Sequence, residues 1–216
     1  MLQKHLVVFV KVPQIGATKT RLAAGIGPLA AWRFYRNTTN QVIRRLSANG
    51  LTRKWKIWLA VTPERLAEGT RFWPVDIRQT GQGRGDLGQR MAKPMYDLPP
   101  GPVVVIGSDV PEIEPGHIEK AFAALERNTA VFGPADDGGY WLVGLKRRPS
   151  FPARLRPGLF RQVRWSTEHA LADTVAGLDH RRGIARINTL SDIDTVKDFE
   201  SWLNRSQLRR DQLRPG

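Results

Sequence analysis

Short apolar runs rich in β-branched residues recur along the chain at Leu6 to Val10, Lys56 to Val61 and Val103 to Ile106, separated by stretches of helical spacing. This alternation constrains the fold more than any other feature. A strand buried on both faces reads as a continuous apolar run, and such strands pair in parallel when helices cross over between them. Val103 to Ile106 is bounded by Pro99, Pro100, Gly101 and Pro102 on one side and Gly107 on the other, which fixes its ends. Helices are predicted over Pro28 to Leu46 and over Pro115 to Arg127, where Ile118, Ala121, Phe122 and Leu125 keep the spacing of one buried face. The expected fold is a single-domain α/β protein, with a mostly parallel central sheet flanked by helices.

The second half continues the pattern with more turn chemistry. Ala130 to Phe132 and Tyr140 to Leu145 flank a stretch from Gly133 to Gly139 that holds Asp136, Asp137 and Gly138, which predicts a hairpin or bent loop at the sheet's edge. Ser166 is expected to cap a helix over Thr167 to Ala176, and a strand follows over Ile184 to Ile187. Thr195 with Asp198 makes a capping box that opens the last helix. The core is expected to end near Leu203, giving a domain over 1–204 and a frayed basic extension over 205–216.

Composition narrows the chemistry. The 216 residues suit one large domain, and 41% hydrophobic with 25% charged residues excludes a disordered chain. Cys is absent, which removes disulfides, thiolate metal sites and cysteine nucleophiles, and fits a reducing compartment. No apolar run approaches the ~20 residues of a membrane span or the ~7 to 15 of a signal peptide's apolar region, so a cytoplasmic protein is expected. The net charge of +14 calls for polyanionic or phosphorylated partners, without choosing between nucleic acid and metabolites.

Three loops carry the candidate chemistry. Lys11, Lys19, Thr20 and Arg21 surround Gly16 after the first strand, where open α/β sheets bind ligands, although the Walker A spacing is missing. A phosphate site and a solvated basic loop both fit. Gly83, Gly85 and Gly88 match G-x-G-x-x-G, but Asp76 to Thr80 is too polar for a central strand, and Pro94, Pro99 and Pro100 leave little room for a crossover helix. Here Asp86 caps a short helix with Gln89. Asp109 follows the Val103 strand directly, at the ligand edge of the sheet, where a carboxylate holds Mg²⁺ or Mn²⁺ or simply caps the turn into Pro111. Asp192 and Asp194 each offer a second carboxylate or a helix-start residue. His5, His117, His169 and His180 have no zinc spacing, and Ser108 lacks a hydrolase elbow.

Taken in order, K-x-P-x-x-G-x-x-K-T-R-L, Q-x-x-G-D-L-G-x-R-M, G-S-D-x-P, G-P-A-x-D-G-G-Y-x-L-x-G-L, W-S-T and D-I-D-T-x-x-D resemble the bacterial glycosyltransferase A fold family of arsenosugar-biosynthesis or radical-SAM and selenodomain-associated transferases. The resemblance spans about Val7 to Trp202. More distantly, the chain is similar to phospholactate guanylyltransferases and to nucleotidyltransferases of molybdenum cofactor maturation. The resemblance implies that Lys11, Lys19, Thr20 and Arg21 hold nucleotide phosphates, and that Gln82 and the loop of Gly85, Asp86, Leu87 and Gly88 approach base and ribose. It implies Asp109 and Asp194 as carboxylates for Mg²⁺ or Mn²⁺, Asp137 as a catalytic group beside Asp109, and Gly138, Gly139 and Tyr140 as the sugar or acceptor pocket. A nucleotide-sugar donor, a small-molecule acceptor and glycosyl transfer follow as first expectation. Nucleotidyl transfer from a triphosphate to a phosphorylated small molecule is the alternative, and a basic nucleic-acid-binding module is the rival of another class.

Overall fold

The structure, a computed structural model, describes residues 2–48, 50–51, 54–66, 72–73, 77–147, 160–178 and 183–212. Along the chain these form β1 (His5–Lys11), α1 (Thr20–Ile26), α2 (Pro28–Leu46), β2 (Lys56–Thr62), β3 (Arg78–Gly81), α3 (Leu87–Asp97), β4 (Val103–Gly107), α4 (Pro115–Arg127), β5 (Ala130–Pro134), β6 (Tyr140–Leu145), α5 (Ala170–Ala176), β7 (Ile184–Arg186) and α6 (Val196–Gln212). The strands make one sheet in the order β3-β2-β1-β4-β6-β5-β7. Every pairing is parallel except the two made by β6. This is the single-domain α/β fold with a mostly parallel sheet that the alternation predicts.

The period of two along β1 divides the core. Leu6, Val8 and Val10 face one side of the sheet and pack with Val42, Ile43 and Leu46 of α2 and Ile118 and Phe122 of α4. Val7 faces the other side, with Met91 and Met95 of α3, Val105, Phe132 and Val143, and with Leu171 and Val175 of α5 at its border. Helices therefore cover both faces, which is why the central strands carry no polar alternation. A smaller cluster of Leu22, Ala31 and Ile193, bordered by Phe34, Phe199 and Trp202, ties α1 and α2 to α6. That tie positions the start of α6 beside the loop after β1.

Four expectations need correction. The β5–β6 hairpin forms, but β6 pairs with β4 and β5 with β7, so it lies inside the sheet. Trp141 to Leu145 is buried throughout, and a strand apolar on both faces belongs in the interior; the turn signal fixes the hairpin, not its place. Helix α3 runs eleven residues with Pro94 inside it, because burial of Met91, Pro94 and Met95 against the sheet outweighs the missing hydrogen bond. Ser166 does not cap a helix. It has φ 60, and α5 begins at Ala170 after His169. The seventh strand stops at Arg186, one residue before Ile187.

The polar segment after Ile77 forms β3 at the sheet's edge, paired with β2 alone, as its composition requires; Asp76 lies outside the described residues. Helix α6 continues past Leu203 through the basic stretch to Gln212, and 213–216 lie outside the described residues, as does His180. Among the described residues no helix is long and apolar enough to cross a membrane.

His5, at the start of β1, is fully buried and accepts a hydrogen bond from Trp58 Nε1 at 3.2 Å. Burial, reinforced by the positive charges of Arg147 and Lys56, lowers its pKa from 6.5 to about 4. Between those values the unfolded chain binds a proton that the folded one refuses, so stability falls as pH drops from 6.5 towards 4. The contribution at stake is on the order of 3 kcal/mol. His5→Gln is expected to flatten that part of the stability profile; a chemical-denaturation series over this pH range that shows the same slope in both proteins contradicts it.

Candidate functional site

The carboxyl ends of β1, β2 and β4 open into a cavity of about 700 Å³. Its first wall is the loop after β1, which α2 holds in place. The Tyr35 hydroxyl accepts from Lys11 N at 2.8 Å and donates to Lys11 O at 3.0 Å, and Trp32 Nε1 donates to Pro13 O. Lys11 Nζ donates to Ala17 O at 2.6 Å, folding the loop back on itself, and Thr18 Oγ1 donates to Gln14 O. Lys19 sits at the entrance to α1 in left-handed backbone, φ 50 and ψ 50. Lys11, Lys19, Thr20 and Arg21 all line the cavity.

Three carboxylates converge opposite this wall. Asp109 emerges after β4, and Thr39 Oγ1 and the Tyr35 hydroxyl reach the adjacent Ser108. Asp109, Asp192 and Asp194 each offer an oxygen within 4.8 Å of the others. Lys19 Nζ donates to Asp109 Oδ2 at 2.7 Å and also to Asp194 Oδ1. Three hard oxygen donors gathered this closely, two of them on the Lys19 ammonium, suit a hard divalent cation. Asp109 would otherwise be raised by burial, but the Lys19 ammonium holds its carboxyl below the usual range. Burial likewise works against the Lys19 charge, yet Asp109 and Asp194 outweigh it and raise its pKa above the ordinary value.

Asp192 has the opposite fate. Burial, with the neighbouring charges of Asp109 and Asp194, pushes it up to about 7. Because the folded pKa is raised, ionising Asp192 costs stability as pH climbs from about 4 to about 7, and the whole cost is present at pH 8. Asp192→Asn is therefore expected to raise the melting temperature of the metal-free protein at pH 8 while weakening Mn²⁺ binding. A lower melting temperature there would refute the crowding of these carboxylates.

The third wall comes from β3 and α3. Gln82, 3% exposed, donates through Nε2 to Val10 O at 3.1 Å and Ala60 O at 2.8 Å, while its Oε1 has no partner among the described residues. Asp86 Oδ1 accepts from Gln89 N, and Asp86 N donates to Gln89 Oε1, so its carboxylate is engaged in the predicted capping box. Gly85 precedes that cap at φ +99. Gly88 turns away from the cavity: a Cβ there would lie 2.5 Å from Phe160 Cβ and 2.8 Å from Trp165 Cζ2, so it serves close packing. The α3 side chains that face the cavity are Leu87, which the resemblance sets near base and ribose, and Arg90, which stands in the same motif without an assigned role. Their spacing of three along the helix after the cap is the signal that marks them.

The Asp137 loop lies elsewhere. Asp137 Oδ1 accepts from Gly139 N at 2.9 Å, and a Cβ on Gly138 would lie 2.2 Å from Glu168 O. Tyr140 meets Thr174 Oγ1 through its hydroxyl at 3.3 Å and packs edge-on against Phe132 and Trp165. None of Asp137, Gly138, Gly139 and Tyr140 lines the cavity, although Asp137 is close enough to add to the negative field on Asp192.

Comparison with solved structures agrees with this architecture. A protein of Desulfovibrio desulfuricans G20 assigned as a nucleotide-diphospho-sugar transferase is 27% identical, with 94% of this chain and 87% of that chain covered and a TM-score of 0.78. CMP:2-keto-3-deoxy-manno-octonic acid synthetase, complexed with CTP, matches at 11% identity over 97% and 100% with a TM-score of 0.54. The 4-diphosphocytidyl-2C-methyl-D-erythritol synthase of Anaerococcus prevotii DSM 20548 matches at 13% identity over 94% and 98% with a TM-score of 0.53. The chain thus has the glycosyltransferase A-like fold shared by nucleotide-diphospho-sugar transferases and cytidylyltransferases. No curated protein matches it. The family model described as "Uncharacterized protein conserved in bacteria (DUF2064)" matches residues 46–167, more than half of the chain, and the chain belongs to that family.

Proposed function

We propose that this protein is a metal-dependent nucleotidyltransferase, which binds a nucleoside triphosphate in the cavity and joins its nucleotidyl group to a phosphorylated small molecule. The observation that carries the reading is one cavity in which four cations, Lys11, Lys19, Arg21 and Arg90, face the carboxylates Asp109 and Asp194. Two phosphate-bearing reactants need that much positive charge. Asp137, Gly138, Gly139 and Tyr140, which the resemblance assigns to a sugar or acceptor pocket, lie outside this cavity, so the acceptor half of the site is the less defined one in either reaction.

Asp109, Asp192 and Asp194 would hold Mg²⁺ or Mn²⁺, which when bound supplies positive charge to phosphate oxygens. Lys11, Lys19 and Arg21 hold the phosphate chain. Among the described residues Lys11 Nζ donates to Ala17 O alone, which leaves two N–H donors for phosphate, and Arg21 presents a fork that suits phosphate. Leu87, 38% exposed, offers an apolar surface for a base, and the polar side chains of Gln82 and Arg90 line the same cavity. An oxygen of the acceptor's phosphate attacks the α-phosphorus, the bond from that phosphorus to the bridging oxygen breaks, and pyrophosphate leaves. Charge developing on the leaving group is met by the cations already aimed at it. A nucleotide-consuming reaction suits a cytoplasmic protein.

Glycosyl transfer is the second reading. It is favoured by the 27% identity to the Desulfovibrio protein and by the order of motifs, which also supports a narrower kinship with the arsenosugar-biosynthesis and selenodomain-associated transferases. Product analysis separates the two. With Mn²⁺, nucleoside triphosphates and a panel of sugar phosphates, pyrophosphate release is expected. Release of nucleoside diphosphate from nucleotide-sugars, with no pyrophosphate from any triphosphate, would overturn nucleotidyl transfer in favour of glycosyl transfer.

A further inference from the structure

Lys19 stands where a metal would be expected to stand. Its ammonium touches Asp109 and Asp194, two of the three carboxylates whose oxygens gather within 4.8 Å. Its side chain is 5% exposed, so the charge is held inside the site. The backbone adopts a left-handed conformation that non-glycine residues seldom take, and no side-chain cap on α1 accounts for it. What this conformation achieves is the placement of the ammonium between the two carboxylates.

A divalent cation shared by these carboxylates and an ammonium bonded to two of them repel each other at close range. Both cannot keep their full set of oxygens. Lys19 has a flexible four-carbon stem, and its neighbours Thr20 and Arg21 line the same cavity where phosphates are proposed to bind.

We propose that Lys19 is a resident counter-cation of the carboxylate cluster, which holds the cluster together in the free protein and moves onto the nucleotide's phosphates when metal and nucleotide enter. This rests on the metal and nucleotide reading of the cavity. Its consequence is coupling: phosphate draws Lys19 out and so tightens the metal, and by reciprocity metal tightens phosphate. Metal alone competes with a charge that is already in place.

The test is Mn²⁺ binding, read by the paramagnetic resonance of free Mn²⁺, for the wild-type chain, Lys19→Met and Lys19→Arg, without and with inorganic pyrophosphate. Wild type and Lys19→Arg are expected to bind Mn²⁺ alone weakly, and pyrophosphate is expected to tighten wild-type binding about 5- to 150-fold. Lys19→Met is expected to bind Mn²⁺ alone about tenfold or more tightly than wild type and to lose most of the tightening by pyrophosphate. Because this variant leaves the carboxylates crowded, its melting temperature is recorded too; a larger rise on adding Mn²⁺ than in wild type is the same result read through stability. Mn²⁺ binding by Lys19→Met that equals or falls below wild type, with a wild-type response to pyrophosphate, overturns the proposal and leaves the metal site standing. Failure of every variant to bind Mn²⁺, with or without pyrophosphate, overturns the metal site itself and the proposal with it.

Discussion

Asp109→Asn is expected to lower metal-dependent turnover about 10²- to 10³-fold, the loss typical when one electrostatic group aimed at developing charge is removed. Asn preserves the size of the side chain and its place after β4 but offers a neutral oxygen to a hard cation. The variant also deprives the Lys19 ammonium of its 2.7 Å partner, leaving Asp194 as the carboxylate bonded to it. Calorimetric titration with Mn²⁺, alone and with nucleotide, reads the effect on binding apart from chemistry. A thermal melt shows whether the fold is intact. If the variant binds Mn²⁺ and nucleotide as tightly as wild type, Asp109 does no more than pair with Lys19 at the turn into Pro111, and the cluster is not the metal site.

The sequence made Asp109 legible because strand and site coincide. Val103 to Ile106 is apolar on both faces, so the strand is central, and a carboxylate two residues past Gly107 falls at the ligand edge by geometry alone. The same logic located the basic loop after β1. What sequence does not carry is convergence across distance: Lys19 lies 90 residues from Asp109 and 175 from Asp194, and no local spacing says that the three meet. Nor does spacing rank Asp192 against Asp194, since both precede the helix start, and only the resemblance picks Asp194; the fold brings both to the cluster but gives Lys19 to Asp194. The Asp137 loop shows the converse. An Asp-Gly-Gly stretch reads equally as turn and as pocket, and the approach of Glu168 to Gly138, set by the segment before α5, is a contact that no local spacing announces. Leu87 is legible from the motif that holds it, but nothing in the spacing gives Arg90 a role: the capping box marks the residues that build the helix start, while the cavity is lined by Leu87 and Arg90 just after the cap.

The start of α6 offers a sharper separation of structure from function than any other part of the site, because two carboxylates four residues apart have different work. Asp198 Oδ2 accepts from Thr195 N at 2.8 Å, Thr195 Oγ1 at 2.7 Å and Asp194 N at 3.2 Å, so its whole bonding is local and serves the helix entrance. Asp194 points the other way and meets Lys19 across the cavity. Asp198→Ala should cost about 1 to 2 kcal/mol, the loss of a good cap, which for a chain of this length lowers the melting temperature by roughly 2 to 8 °C. Its Mn²⁺ affinity should change little, because the Lys19 contact and the neighbouring carboxylates are untouched. Asp194→Ala should do the reverse. It removes an exposed-edge carboxylate from the cluster, with little effect on the melt, and weakens Mn²⁺-coupled nucleotide binding by about two orders of magnitude, comparable to other losses of charge at such sites. Parallel melts and Mn²⁺ titrations of the two variants decide the matter. Should Asp198→Ala abolish metal-coupled binding at unchanged stability while Asp194→Ala leaves it intact, the assignment of the two residues is inverted, and the ion pair between Lys19 and Asp194 is structural.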